Sequence, residues 1–303
     1  MLDPHNEYGG AFSSHTRLST DEGTLSLPYW MLDFEETIAL IVGKTEFAAT
    51  SQTNVLKNAL LGARRAERQA IGLDPDAITV DSPIPYILGN PTGLDGLGLR
   101  GGTLDTTGLV GEINDQRPKD SKDKSKHEEY NKLIRKIESL IRDSRLKFMM
   151  TPWNGVAAGD TLPSVLQQFL GGNDPICVVD LSGVPNEVAG AASSVVARLL
   201  FAVKLWQTSE EREGNPVLLV CEEAHRYVPD RGEAQYAAAR EAIQRLAKEG
   251  RKYGLGLVLV SQRPSEVDAT VLSQCNSWIV LRITNEADRD HVRSTSRLAS
   301  RPH

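Results

Sequence analysis

The feature that most constrains this chain is a set of apolar runs, each closed by a polar functional group and separated by stretches of helical period. "PICVVDLSG" and "PVLLVCEEAH" are apolar runs ending in carboxylates, and "GLGLVLVSQRP" is one ending in an amide. "NSWIVLRI" reads as a fourth strand. Between the first two lies "NEVAGAASSVVARLLFAVKLW", with Val196, Leu199, Val203 and Trp206 on one helical side. Between the second and third lies the Ala-rich "EAQYAAAREAIQRLAKEGRKYG", which stops at Gly254. Near-continuous apolar strands alternating with helices specify a buried parallel sheet, so the chain after residue 174 is α/β.

The region from about residue 33 to 150 is different and reads as a helical insert. "SQTNVLKNALLGARRAERQAIG" places Val55, Leu56, Leu60 and Leu61 on one face with a basic opposite face. "YNKLIRKIESLIRDSRLKFMM" does the same with Leu133, Ile134, Ile137, Leu140 and Ile141. Between them, "DPDAITVDSPIPYILGNPTGLDGLGLRGGTLDTTG" is rich in Gly, Pro and Asp and reads as loop. The charge run "RPKDSKDKSKHEE" reads as a solvated connection or helix start, with 117–126 as one option for a basic channel loop.

Composition narrows the class without naming a function. The 303 residues are 40% apolar and 24% charged, ordinary for a soluble globular protein. No run approaches about eighteen uninterrupted apolar residues. "MLDPHNEYGG" is neither a signal nor a transit peptide, so a cytoplasmic protein with no membrane association is expected. Cys177, Cys221 and Cys275 lie far apart in or beside apolar segments and read as reduced core thiols. A net charge of −6 excludes a bulk polycation, yet a ring can line its channel with basic loops, so charge does not decide nucleic-acid binding.

One tripeptide invites a wrong reading. Gly43-Lys44-Thr45 looks like the tail of a G-x-x-x-x-G-K-[ST] phosphate loop, but the position five before Gly43 is Ile38. Its context is "FEETIALIVGKTE", an acidic helix start and an apolar stripe, with Gly43 suited to the helix stop.

The strand tips carry the chemistry, because parallel sheets place functional groups at their carboxyl ends. Glu222 and Glu223 close a strand and suit a division of labour in phosphoryl transfer, one holding the magnesium shell and the other polarising water. Ser261, Gln262 and Arg263 close the next strand, either as γ-phosphate reader and charge neutraliser or as a polar turn before Pro264. "DPHNEY" supplies Asp3, His5 and Glu7, whose spacing fits no zinc site. His225 is either a core-edge histidine or a group beside the phosphate. Arg251 and Lys252 end a helix where the dipole favours cations, and Arg251 is alternatively a finger reaching a neighbouring subunit.

Together "LDPHNEYGGAF", "LPYWML", "DSPIPY", "VVDLSGVP", "VLLVCEEAHRYVP" and "EGRKYGLGLVLVSQRPSEVDATVLSQCNSWIVLRITNEADRDHVR" resemble the central ATPase of the HerA/FtsK group, HerA most closely, over about residues 2 to 293. The resemblance implies a RecA-like P-loop NTPase core, mainly parallel sheet with flanking helices, carrying an inserted helical subdomain. Residues 1–32 and 151–293 would form the core, 33–150 the insert, and 294–303 an atypical tail. It implies a hexameric, ATP- and Mg2+-dependent double-stranded DNA translocase or helicase that works with a nuclease or anti-phage effector.

Carried over by residue, Glu222 takes the magnesium position, Glu223 is the catalytic carboxylate, Gln262 is the sensor and Arg251 the finger acting in trans. Asp3, His5, Glu7 and Arg263 would meet the nucleotide. Asn6 stands where the family's D-P-H-G-E-Y loop has glycine. The family's P-loop and N-terminal barrel precede that loop and have no counterpart here, so the resemblance implies a fragment that is inactive alone. A conjugation or secretion ATPase of the same superfamily, or a catalytically dead oligomeric scaffold, are the other readings.

Overall fold

The computed structural model describes residues 1–303 except 44–49, 68–71, 90, 93–102, 119–123, 154–160, 171–173, 232–236 and 300–303. Lys44 and Thr45 of the misleading tripeptide, residues 119–123 of the charge run and the end of the tail therefore lie outside the described residues. The strands are β1 (Leu2–Asp3), β2 (Thr16–Ser19), β3 (Pro91–Thr92), β4 (Thr103–Leu104), β5 (Cys177–Asp180), β6 (Val217–Cys221) and β7 (Leu255–Leu259). The helices are α1 (Phe34–Ile41), α2 (Thr50–Ala66), α3 (Gly108–Asp115), α4 (Lys124–Arg142), α5 (Lys147–Met150), α6 (Leu162–Phe169), α7 (Asn186–Trp206), α8 (Ser209–Gly214), α9 (Ala237–Glu249), α10 (Ala269–Leu272) and α11 (Glu286–Ala299). The chain divides into two units, Met1–Leu25 with Leu166–His303, and Ser26–Val165.

The first unit is a parallel sheet of order β2-β5-β1-β6-β7 flanked by helices, a RecA-like α/β architecture. Parallel strands need crossover connections, and the long helices between the apolar runs supply them. α7 and α9 pack on each other and on β7, and the buried Leu219, Cys221 and Leu255 face that layer. α7 is long and apolar enough over Val188–Trp206 to cross a bilayer, but 67% of that stretch is buried in the fold, as befits a core helix. α9 runs into a 3-10 turn at Gly250–Tyr253, and Gly254 at φ +71° ends it in a conformation that disfavours side chains.

Two expectations, one of a strand and one of a helix face, need correction. Residues 276–283, expected as a fourth strand, form no strand: Ile279 is 94% and Leu281 84% exposed. A strand exists only by pairing, and β7 ends the sheet with no further neighbour among the described residues. Trp206, expected on the buried side of α7, is 86% exposed, while Val188, Ala192, Val195, Val196 and Phe201 are the buried positions.

The second unit is built by α1 to α5. Asp33 and Glu36 form a reciprocal capping box that starts α1, and Gly43 at φ +84° stops it, its N–H donating to the Ile38 carbonyl. The interior gathers Trp30, Tyr29, Tyr86, Leu56, Leu60, Leu109, Ile113, Leu133 and Ile137. Arg64, assigned by its neighbours to the basic outer face of α2, is instead fully buried and donates to the carbonyls of Val80, Trp30 and Leu32. Burying a charge is costly unless its donors find acceptors, and these carbonyls take both terminal nitrogens of the guanidinium.

Candidate active site

The register of the sheet sets three acids side by side. Asp3 of β1 pairs with Asp180 of β5, and Leu2 pairs with Cys221, so Glu222 follows beside Asp3 at the carboxyl edge. The Glu222 N–H donates to the Leu2 carbonyl and holds that position. All three side chains are buried.

Each acid has a different set of partners, and hence a different task. The Asp3 carboxylate accepts the backbone N–H groups of His5, Glu7 and Tyr8 at 3.2, 3.2 and 3.0 Å, which folds the "DPHNEY" loop over the strand tip. In that loop Asn6 adopts φ +56°, the left-handed conformation natural to glycine. His5 and Glu7 are exposed on the loop. Burial works against ionisation of Asp180, but hydrogen bonds from the Ser182 hydroxyl and N–H and from Arg17 outweigh it and hold its carboxyl below the usual range.

Among the described residues the Glu222 side chain has a single donor. The Tyr8 hydroxyl reaches its Oε2 at 3.1 Å. Burial raises its pKa most, Tyr8 opposes, and the nearby charges of Glu223, Glu7 and Asp3 add to the rise. This is an acid whose charge the site leaves uncompensated, and a hydrated divalent cation beside it would relieve that strain. Among the described residues no three His, Cys, Asp or Glu groups converge as a metal cage, so any cation there would take most ligands from water or phosphate.

Glu223 sits on a forced bend. It has φ +50° and ψ +54°, a left-handed conformation rare outside glycine, at the start of the 3-10 turn Ala224–Arg226. The Ala224 N–H donates to the Val260 carbonyl and the Val260 N–H to the Cys221 carbonyl, pinning this bend to the end of β7. The two consecutive glutamates accordingly have different neighbours, Tyr8 at Glu222 and His225 at Glu223.

Of the residues expected beyond β7, Gln262 and Arg263 are exposed. The Arg263 N–H donates to Ser261 Oγ at 3.0 Å and its guanidinium to Glu266 at 3.1 Å, a polar turn leading into Pro264. They lie at the same sheet edge as Glu222 and Glu223. Arg251 does not: it is exposed in the turn that precedes β7, and the five residues of that strand put about 16 Å between it and the carboxyl edge of its own sheet. Tyr8 was not singled out from the sequence, although an aromatic hydroxyl closing an acidic loop was its visible signal. Asp180 was visible as the acid ending "CVVD", but its partner Arg17 was not, because that pairing is made by the β2-β5 register.

Comparison with known proteins agrees with this geometry. The helicase HerA central domain family matches residues 1–200. A DNA double-strand break repair helicase HerA of Pyrococcus furiosus is 44% identical over 86 residues, 28% of this chain and 15% of that protein. One of the same name from Sulfurisphaera tokodaii is 32% identical over 121 residues, 39% of this chain and 24% of its own. A probable helicase of Methanocaldococcus jannaschii is 41% identical over 81 residues, 27% and 15% of the two chains. The matched stretches thus span a quarter or less of these relatives. With the parallel sheet, the acids at its carboxyl edge and a family match over two thirds of its residues, the chain belongs to the HerA helicase central-domain family.

Proposed function

We propose that this chain is part of an ATP-driven, Mg2+-dependent double-stranded DNA translocase or helicase of the HerA type, hexameric and cytoplasmic, that works with a nuclease or anti-phage effector. The observation that carries the reading is the Glu222–Glu223 step at the carboxyl edge, where one acid is buried with its charge uncompensated and the next is turned away by a left-handed bend. When bound, magnesium with a nucleoside triphosphate supplies the electrophilic phosphorus and neutralises the phosphate charge. Glu222 would hold the hydrated cation, and Glu223 would orient the attacking water and take its proton. Gln262 and Arg263, exposed at that same edge, would read the γ-phosphate and offset its charge. Arg251, at the opposite edge, would act as a finger only toward a neighbouring subunit's site. Asp3 acts by folding the loop that carries His5, Glu7 and Tyr8.

The 303 residues contain no G-x-x-x-x-G-K-[ST], so the backbone cradle and lysine that bind the triphosphate are not in them. The chain alone is therefore expected to show no ATP turnover above its Glu223→Gln variant. If the reading frame upstream encodes the missing motif, the longer product should hydrolyse ATP with DNA stimulation, and Glu223→Gln should lower its kcat by about 10²-fold or more. DNA-independent hydrolysis that Glu223→Gln leaves intact would overturn the assignment.

A further inference from the structure

We propose that His225 is the positioning residue for Glu223, donating its Nδ1–H to one carboxylate oxygen and leaving the other for water; the inference rests on the catalytic role given to Glu223 above. His225 Nδ1 and Glu223 Oε2 are 3.2 Å apart. Both atoms are buried, and as oriented neither completes a hydrogen bond, with each other or with any other described residue, so a small turn of either side chain is what joins them. Leaving two buried polar atoms unpaired is costly, whereas pairing them with each other satisfies both. The pairing requires the ring proton on Nδ1, because a carboxylate accepts only.

The backbone explains why these two side chains meet. A glutamate at i and a histidine at i+2 stand on one face of a strand but about 6.5 Å apart, and on different faces of a regular helix; here the left-handed bend at Glu223 and the 3-10 turn Ala224–Arg226 bring the two side chains within reach. Two tethers hold the turn: the Ala224 N–H to the Val260 carbonyl, and the Val228 N–H to the Ala224 carbonyl. The strained backbone at Glu223 thus has a structural result, a carboxylate held from one side. Glu222 is held by a different donor, Tyr8, so the two consecutive acids are restrained independently. Glu223 Oε1 has no protein partner among the described residues and is the oxygen left for the reacting water.

The test uses the full chain with 15N-labelled histidine and no nucleotide. Long-range 1H–15N spectra report which ring nitrogen carries the proton, and the spectrum of His225→Asn, which lacks one histidine, assigns the signal. The expected result is a protonated Nδ1 on His225 whose resonance shifts in Glu223→Gln. Thermal unfolding gives a second reading: the Tm losses of His225→Leu and Glu223→Gln should fail to add in the double variant, and His225→Asn, which keeps an N–H near the Nδ1 position, should recover most of the His225→Leu loss. An unprotonated Nδ1 that ignores Glu223→Gln would overturn the proposal, as would additive losses. If His225→Leu does not fold, the spectra of the other two variants decide alone. Because no hydrolysis is measured, a failed ATPase assay would refute the catalytic reading without touching this contact, and an unprotonated Nδ1 in an active enzyme would refute only the contact.

Discussion

At the residue scale, the left-handed Asn6 and the uncompensated Glu222 are the most exposed to test. Asn6 accepts φ +56° better than most side chains, and a β-branched residue does not. Asn6→Val is expected to lose about 1–2 kcal/mol in urea unfolding, while Asn6→Gly should stay within a few tenths. The Tyr8 hydroxyl lowers the pKa of Glu222 against the burial that raises it. Tyr8→Phe should therefore raise that pKa further, read by 13C NMR of the labelled carboxyl against pH. The sign for stability follows: an acid whose folded pKa is raised penalises folding once ionised, so its cost grows as pH rises from about 4.5 through the folded value. A divalent cation at the site should reverse part of that cost.

At the element scale, caps and buried ion pairs explain the ordering of the segments after β7. Asp268 caps α10 by accepting the Val271 N–H at 3.0 Å, and it also receives Arg240 and Gln244 of α9. Burial opposes its ionisation, but these donors outweigh it and hold the carboxyl below its ordinary value. Its contribution is fully present above about pH 4 and is lost as pH falls through the depressed folded value. Asp268→Asn should cost about 2 kcal/mol, since the partly exposed Arg240 then loses its charged partner, and the variant should lose Asp268's own share of any fall in unfolding stability as pH drops below about 4. α1 shows the same logic in its capping box, and there the acidic pair and Gly43 were readable without a structure. Arg64 was not readable, because a basic residue in a basic stretch looks solvated until carbonyls from two separate segments, Trp30 and Leu32 on one and Val80 on the other, accept from it.

At the scale of the whole molecule, the sheet is covered on one side of its β6-β7 end and open on the other. Leu218, Val258 and Val260 are exposed on that face, and Ile279 and Leu281 add an apolar segment nearby in sequence. Parallel sheets are normally covered on both faces, and an uncovered one with an unpaired edge invites association. The chain should bind a hydrophobic dye and scatter light increasingly with concentration. Replacing Ile279 and Leu281 together by lysine should reduce the scattering while leaving the helical CD signal unchanged; unchanged scattering would place the adhesive surface elsewhere.

Local pattern alone determined the alternation of apolar runs and helices, the acid or amide at each strand tip, the stop at Gly254 and the exclusion of Gly43-Lys44-Thr45 as a phosphate loop, because periodicity, caps and backbone conformation are properties of adjacent residues. Tertiary structure decided what distant segments do to one another. It paired Asp3 with Asp180, put Tyr8 on Glu222, bent Glu223 toward His225, buried Arg64, and left residues 276–283 without a strand to join. Burial and hydrogen bonding are settled by which chains of backbone lie side by side, and no window of sequence contains that information.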